Sequence, residues 1–120
     1  MQKGLDRMSI LGFIGVVLAV ENKPEIQQYI GYVHGGVIAT LADTCAGLAA
    51  MTVLEKKQTV VTSEFKIHYL RPATSATIHT IGSILKKGSR QIIVEAEILD
   101  LATSTLVGKF IGTMVPMDAN

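Results

Sequence analysis

With 120 residues the chain has room for one domain with a substantial core and not for two. Apolar residues make up 48% of it and charged residues 18%, a balance that excludes a disordered chain and leaves apolar surface to be hidden by self-association. A formal net charge of +1 with no long basic run gives no reason for a nucleic-acid partner, and a lone cysteine, Cys45, excludes an intrachain disulfide framework or a cysteine-based zinc cluster.

The first element is the run ILGFIGVVLAV, Ile10 to Val20. Lys3 and Arg7 before it and Val17-Leu18-Ala19 near its end give it the outline of a signal peptide. Asp6 among the basic residues weakens that outline, and the β-branched content favours a buried strand. Residues 21–32, ENKPEIQQYIGY, carry Pro24 and Gly31 and read as a loop. From Val37 to Leu54 the residues predict a helix. Ala39, Ala42, Ala46, Gly47, Ala49 and Ala50 fall on several of its sides, so neighbouring backbone can approach almost all round. Its 18 residues would span about 27 Å, just bilayer-sized. A central Asp43, Gly47 and three threonines argue instead for a helix wrapped by protein, with no membrane partner. Cys45 within it reads as a core thiol in a reducing, cytoplasmic setting.

EKKQ, residues 55–58, returns the chain to solvent, and four strand-like segments follow at 59–70, 74–86, 90–100 and 105–116. The breaks between them, RPA, KGS and LATS, are short enough for consecutive strands to pair antiparallel. In the first of these strands Val61, Ser63, Phe65, Ile67 and Tyr69 point one way, and Val60, Thr62, Glu64, Lys66 and His68 the other. The former face reads as core, the latter as surface, a subunit contact or the wall of a site. The order β-α-β-β-β-β predicts one α+β domain over residues 1–120. An antiparallel sheet of about five strands wraps around one long helix and leaves a strip for a second subunit to cover.

Asp43 stands alone in the apolar run Tyr32 to Met51, where a buried carboxylate costs several kcal/mol unless it is paired, protonated or used. The residues around it keep a specific spacing: Gln28-x-x-Gly31-x-x-His34-Gly35-Gly36, then Leu41-Ala42-Asp43, then a strand ending HYLRPA at 68–73. With the glutamine six residues before His34 and the acid nine after it, this combination resembles the hotdog-fold acyl-CoA thioesterases of the phenylacetate-pathway (PaaI-like) branch, from about Leu11 to Val115. The resemblance implies a hotdog fold and hydrolysis of acyl-CoA without a metal or organic cofactor. It also implies homodimers with joined sheets that assemble further into homotetramers.

Thioester hydrolysis needs donors for the oxyanion that develops on the carbonyl and a carboxylate that activates water or attacks directly. A helix that begins after His34-Gly35-Gly36 offers unpaired N–H groups and the positive end of its dipole, and glycine permits close approach. Gly35 N–H is the first choice of donor and Gly36 N–H the second. Asp43, as base or nucleophile, lies about two turns into the helix, roughly 10 Å from its start at about 1.5 Å per residue, so a partner's helix has to bring acid and donors together. The resemblance implies the same, a site across the dimer interface.

By position Gln28 resembles the residue that orients the thioester or the attacking water, its amide able to donate and accept at once. His34 holds the loop, bonding Gln28 or the backbone, and Thr62 stands where some relatives place a hydroxyl that helps hold the water. Other relatives carry that hydroxyl one turn after the acid, where this chain has Gly47. Arg71 and Arg90, the latter within the basic turn KKGSR, are candidates for the CoA phosphates. Tyr69, with Tyr32, Met51 and Leu54, is a candidate for the acyl pocket. His68 and His79 decorate strands, and with His34 they show no metal-ligand spacing. The rival from another class is a hotdog protein that binds acyl-CoA or another hydrophobic ligand without turning it over. Such a protein would keep the pocket and not need Asp43.

Overall fold

The computed structural model describes residues 9–11, 15–21, 25, 32–74 and 77–119, and among these six strands form one antiparallel sheet around one helix. In chain order they are β1 (Ser9–Leu11), β2 (Gly15–Glu21), α1 (Gly35–Met51), β3 (Gln58–Tyr69), β4 (Thr77–Lys87), β5 (Ile92–Asp100) and β6 (Thr105–Asp118). Side by side the strands run β1-β2-β4-β5-β6-β3. This is the expected hotdog arrangement, with two local differences. The stretch expected as one strand over Ile10 to Val20 is a pair, with Ser9 opposite Val17 and Leu11 opposite Gly15. Gly12 and Gly15 interrupt a run that composition alone reads as continuous.

The second difference is where β3 goes. The break RPA was expected to turn β3 back onto β4, yet β3 pairs with β6 and forms an edge of the sheet. After Tyr69 the chain is tied down as a crossover instead of a hairpin. Leu70 N–H and Arg71 N–H both donate to the Val107 carbonyl, and Val33 N–H donates to the Ala73 carbonyl just before the helix starts. These bonds satisfy backbone groups that a hairpin would otherwise have paired, and they fix the end of β3 beside the start of α1.

Helix α1 buries Ile38, Ala42, Cys45, Ala46, Ala49 and Ala50, which recur at three- and four-residue intervals and form one stripe rather than an all-round apolar surface. Small side chains let it sit close to the sheet. A Cβ added to Gly82 of β4 would lie 2.9 Å from the Cys45 carbonyl oxygen, so that crossing point requires glycine. Facing the stripe are Ile78 of β4, Ile92, Val94 and Ile98 of β5, and Val107, Phe110 and Met114 of β6, all fully buried. Among the described residues no helix is long and apolar enough to cross a membrane.

Alternation along β3 is broken, which corrects the expected faces. The register with β6 shifts between Thr62, opposite Met114, and Glu64, opposite Thr113, leaving Ser63 as the extra residue of a bulge. Val60 and Thr62 therefore lie on the helix side before the bulge, and Phe65, Ile67 and Tyr69 on the same side after it. Phe65 stacks on Phe110 with ring centroids 5.0 Å apart, and Val60 and Ile67 pack on the core. Thr62 thus shares a face with Phe65, contrary to unbroken alternation. In the isolated chain this edge leaves Val61, Phe65 and Tyr69 46%, 42% and 52% exposed, an apolar rim on a strand paired on one side only.

Candidate active site

Asp43 is half-buried on α1 and is met by β3 just before the bulge. Thr62 Oγ1 donates to Asp43 Oδ1 at 2.7 Å and lies 3.3 Å from Met114 Sδ. The hydroxyl has one proton, and a carboxylate is a far better acceptor than a thioether, so the proton belongs to Asp43 and Met114 supplies packing. Oδ2 has no partner among the described residues. The bulge is what makes this contact possible, because without it Thr62 would point away from the helix.

The other part of the site is the start of α1. His34 is the N-cap residue, and its carbonyl accepts from Val37 N–H at 3.0 Å and Ile38 N–H at 3.1 Å. Its side chain is exposed and makes no capping bond. Gln28, expected to meet it, lies outside the described residues. Gly35 N–H and Gly36 N–H have no partner among the described residues, as geometry dictates for the first helical amides. Tyr69 Oη donates to the Gly35 carbonyl at 2.8 Å, and its ring covers Gly35 so closely that a Cβ there would lie 3.3 Å from it. At Gly36 no atom beyond the neighbouring residues and backbone of its own helix lies within 4 Å of where a Cβ would be. In front of this helix end is a cleft of about 310 Å³ lined by Tyr32, Val33, Ile38, Tyr69, Arg71 and Pro72 among others. Arg71 is exposed, with Nη1 donating to the Leu106 carbonyl at 3.3 Å.

Asp43 is eight residues beyond Gly35, about 12 Å along the axis at about 1.5 Å per residue, so one chain holds its acid and its donors apart. The structure therefore brings together Asp43 with Thr62, and separately Gly35 with Tyr69, Tyr32 and Arg71. Arg90 belongs to neither group. It lies in the β4–β5 turn beside a cleft of about 390 Å³ shared with Lys86, Ser89 and Gln91. Leu54 lines a neighbouring recess with Lys87 and Ser89, beyond the C-terminal end of α1. Tyr32 and Tyr69 on one side and Met51 and Leu54 on the other are separated by the length of the helix, so one chain does not hold all four in a single pocket. Glu64 accepts a hydrogen bond from Thr113 Oγ1 on the opposite face of the sheet. Among the described residues no three His, Cys, Asp or Glu side chains gather as metal ligands. Sequence reasoning missed Met114 behind Thr62 and the use of the Tyr69 hydroxyl on a helix carbonyl.

Residues 30–106 match the thioesterase superfamily, a span that begins two residues after Gln28 and contains every other candidate residue. A Saccharolobus solfataricus protein described as a candidate esterase is 38% identical over 97 residues, 81% of this chain and 68% of that protein. An acyl-coenzyme A thioesterase of Rattus norvegicus is 27% identical over 104 residues, 86% of this chain and 44% of that protein. Among solved structures, a Bacillus halodurans protein crystallised with CoA superposes with a TM-score of 0.81 at 29% identity, covering 94% of this chain and 73% of that one. A Haemophilus influenzae thioesterase superposes at 0.86 with 23% identity, covering 92% and 77%, and shares the fold.

Proposed function

The chain belongs to the thioesterase superfamily, and on that premise we propose that it hydrolyses acyl-CoA thioesters to a free acid and CoA at sites built between two copies of itself. One observation carries this reading. Helix α1 holds a carboxylate secured by Thr62 and, about 12 Å away, two amides with no partner among the described residues. Strand β3 touches both places, Thr62 at the acid and Tyr69 at the donors, and it is also the exposed edge. Antiparallel pairing of two such edges sets the Thr62 end of one strand toward the Tyr69 end of the other. Asp43 then faces the partner's Gly35 and Gly36.

In that arrangement the thioester oxygen is held by the glycine amides of one subunit while Asp43 of the other works on the carbonyl carbon. Asp43 either takes a proton from a water whose oxygen attacks, or attacks itself and is freed by water afterwards. In both routes the tetrahedral intermediate collapses with the C–S bond breaking, and sulfur leaves as the CoA thiolate and is protonated. Gln28 orients the thioester or the water, and Arg71 and Arg90 contact CoA phosphates. Acyl-CoA as the substrate class is supported by the activity of the rat relative and by the CoA bound to the Bacillus halodurans protein. The Gln28, His34, Gly35 and Asp43 spacing supports the PaaI-like branch, and the outer sheet face, where Ile111 is 45% exposed, offers the surface for a homotetramer.

CoA release from a panel of short, medium, long and aryl acyl-CoAs tests the reading, with turnover of at least one class as the expected result. A protein stabilised by acyl-CoA that releases nothing from the whole panel would be the ligand-binding rival instead. Within the same assay Thr62→Val, which keeps the shape against Met114 and removes the donor to Asp43, is expected to lower kcat about tenfold and leave KM unchanged. Equal kcat in variant and wild type would take Thr62 out of the site.

A further inference from the structure

We propose that Gly47 is a specificity-determining residue: it opens a hollow beside Asp43 in which the acyl group lies along α1 toward Met51, so that acyl groups longer than acetyl are preferred. The inference rests on the thioesterase reading above and names the substrate class of that site. Glycine is the least favourable residue after proline in a helix interior, and Gly47 sits well inside α1. Packing within the chain does not require it. A Cβ at Gly82 would lie 2.9 Å from the Cys45 carbonyl oxygen, and one at Gly112 would lie 2.8 Å from the Phe110 ring. At Gly47 the nearest atom from outside its own stretch of helix is Val60 Cγ2 at 3.8 Å, an ordinary contact. The space is left for something the chain itself does not supply.

Position identifies the occupant. Gly47 lies one turn after Asp43 on the same face of α1, and Met51 one turn further. Each Cα–Cβ bond of a helix tilts toward the N-terminus, so a side chain at position 47 would cover the turn that carries the carboxylate. With glycine there, the flank of Asp43 stays open. Val60 of β3 closes one side of the hollow, two residues before the Thr62 that secures Asp43. At the far end is Met51, 43% exposed in the isolated chain and about 12 Å beyond Asp43 at about 1.5 Å per residue. These walls are apolar, and methionine, unbranched and flexible, adapts to what it meets. In this site the thioester carbonyl carbon stands at Asp43, with the acyl chain on one side of it and the CoA sulfur on the other. CoA, with its amides and phosphates, matches the cleft at the partner's Arg71, and the apolar hollow matches the acyl chain.

Gly47→Ala and Gly47→Leu fill the hollow by steps. Both replace glycine with a better helix residue, and the alanine variant is expected to melt above wild type. CoA release from acetyl-, butyryl- and octanoyl-CoA is compared as kcat/KM. Wild type is expected to favour octanoyl-CoA over acetyl-CoA, and the leucine variant to lower that preference by about tenfold to a hundredfold, with alanine between. A wild type that prefers acetyl-CoA, or a leucine variant that loses all three substrates in proportion, would overturn the proposal. So would an alanine variant that melts below wild type or changes its oligomeric state, since the glycine would then serve packing between copies. If no thioester is turned over, the reaction assignment fails by itself and melting shifts decide on the hollow. Octanoyl-CoA is then expected to stabilise wild type more than acetyl-CoA does, and the leucine variant to lose that difference. Equal stabilisation of wild type by the two, or none by either, would sink the hollow too.

Discussion

Asp43→Ala and Asp43→Asn are each expected to lower kcat for the best acyl-CoA by about a thousandfold, the scale of a lost general base or nucleophile. Both should leave the oligomeric state intact. The carboxylate is half-buried, and its one hydrogen bond among the described residues comes from Thr62, whose hydroxyl also has Met114 at 3.3 Å. Neither substitution strands a charge, and the asparagine amide oxygen still accepts from Thr62 in the same volume. Asparagine is therefore the more telling variant, since it keeps the contact and removes only basicity and charge. Steady-state CoA release, with light scattering to count subunits, makes the comparison. An asparagine variant within tenfold of wild type would demote Asp43 to a structural acid.

The candidate site stands out in the sequence by residue identity, and its surroundings are obscure where the fold sets them. His34-Gly35-Gly36 and Asp43 stand out because a glycine pair at a helix start and an acid in an apolar helix both conflict with ordinary packing preference. The helix and strands β4 to β6 follow from periodicity, and β5 keeps its alternation of buried and half-buried residues from Ile92 to Asp100 without a break. Two features escaped that logic. The bulge at Ser63 has no glycine to mark it, and Val60-Val61 offers an apolar residue in either phase, so nothing local shows that the strand changes parity. Only the register with β6 reveals it, and that is long-range information. The crossover after Tyr69 is the same kind of case. Three residues, Arg71-Pro72-Ala73, suit a hairpin by length, yet bonds to Val107 and Val33 carry the chain past the helix start. Both concern β3, the strand whose environment is set by elements distant in sequence.

Two inactive variants should restore activity to one another if the site is shared between copies of the chain. Gly36→Val is the natural partner for Asp43→Ala. Its side chain enters open space, with no atom from outside its own stretch of helix within 4 Å of the Cβ, and valine is a better helix residue than glycine, so the variant is expected to fold at least as stably as wild type. The valine would stand beside the amides read as donors, and crowding them is expected to reduce turnover by about a hundredfold, the cost of a lost oxyanion donor. When the two variants are co-expressed and assort at random, about half of the dimers are hybrids. In a hybrid one site combines both defects, while the other joins an intact Asp43 to intact glycines. One good site in two, in half of the dimers, gives about a quarter of the wild-type rate from parents that are each nearly inactive. Were acid and donors to meet within a single chain, every site would carry one defect and mixing would add nothing to the parental rates. Recovery near a quarter would therefore locate both halves of the site on different subunits, and its absence would return the roughly 12 Å between Asp43 and Gly35 to a separation that some movement within one chain must close.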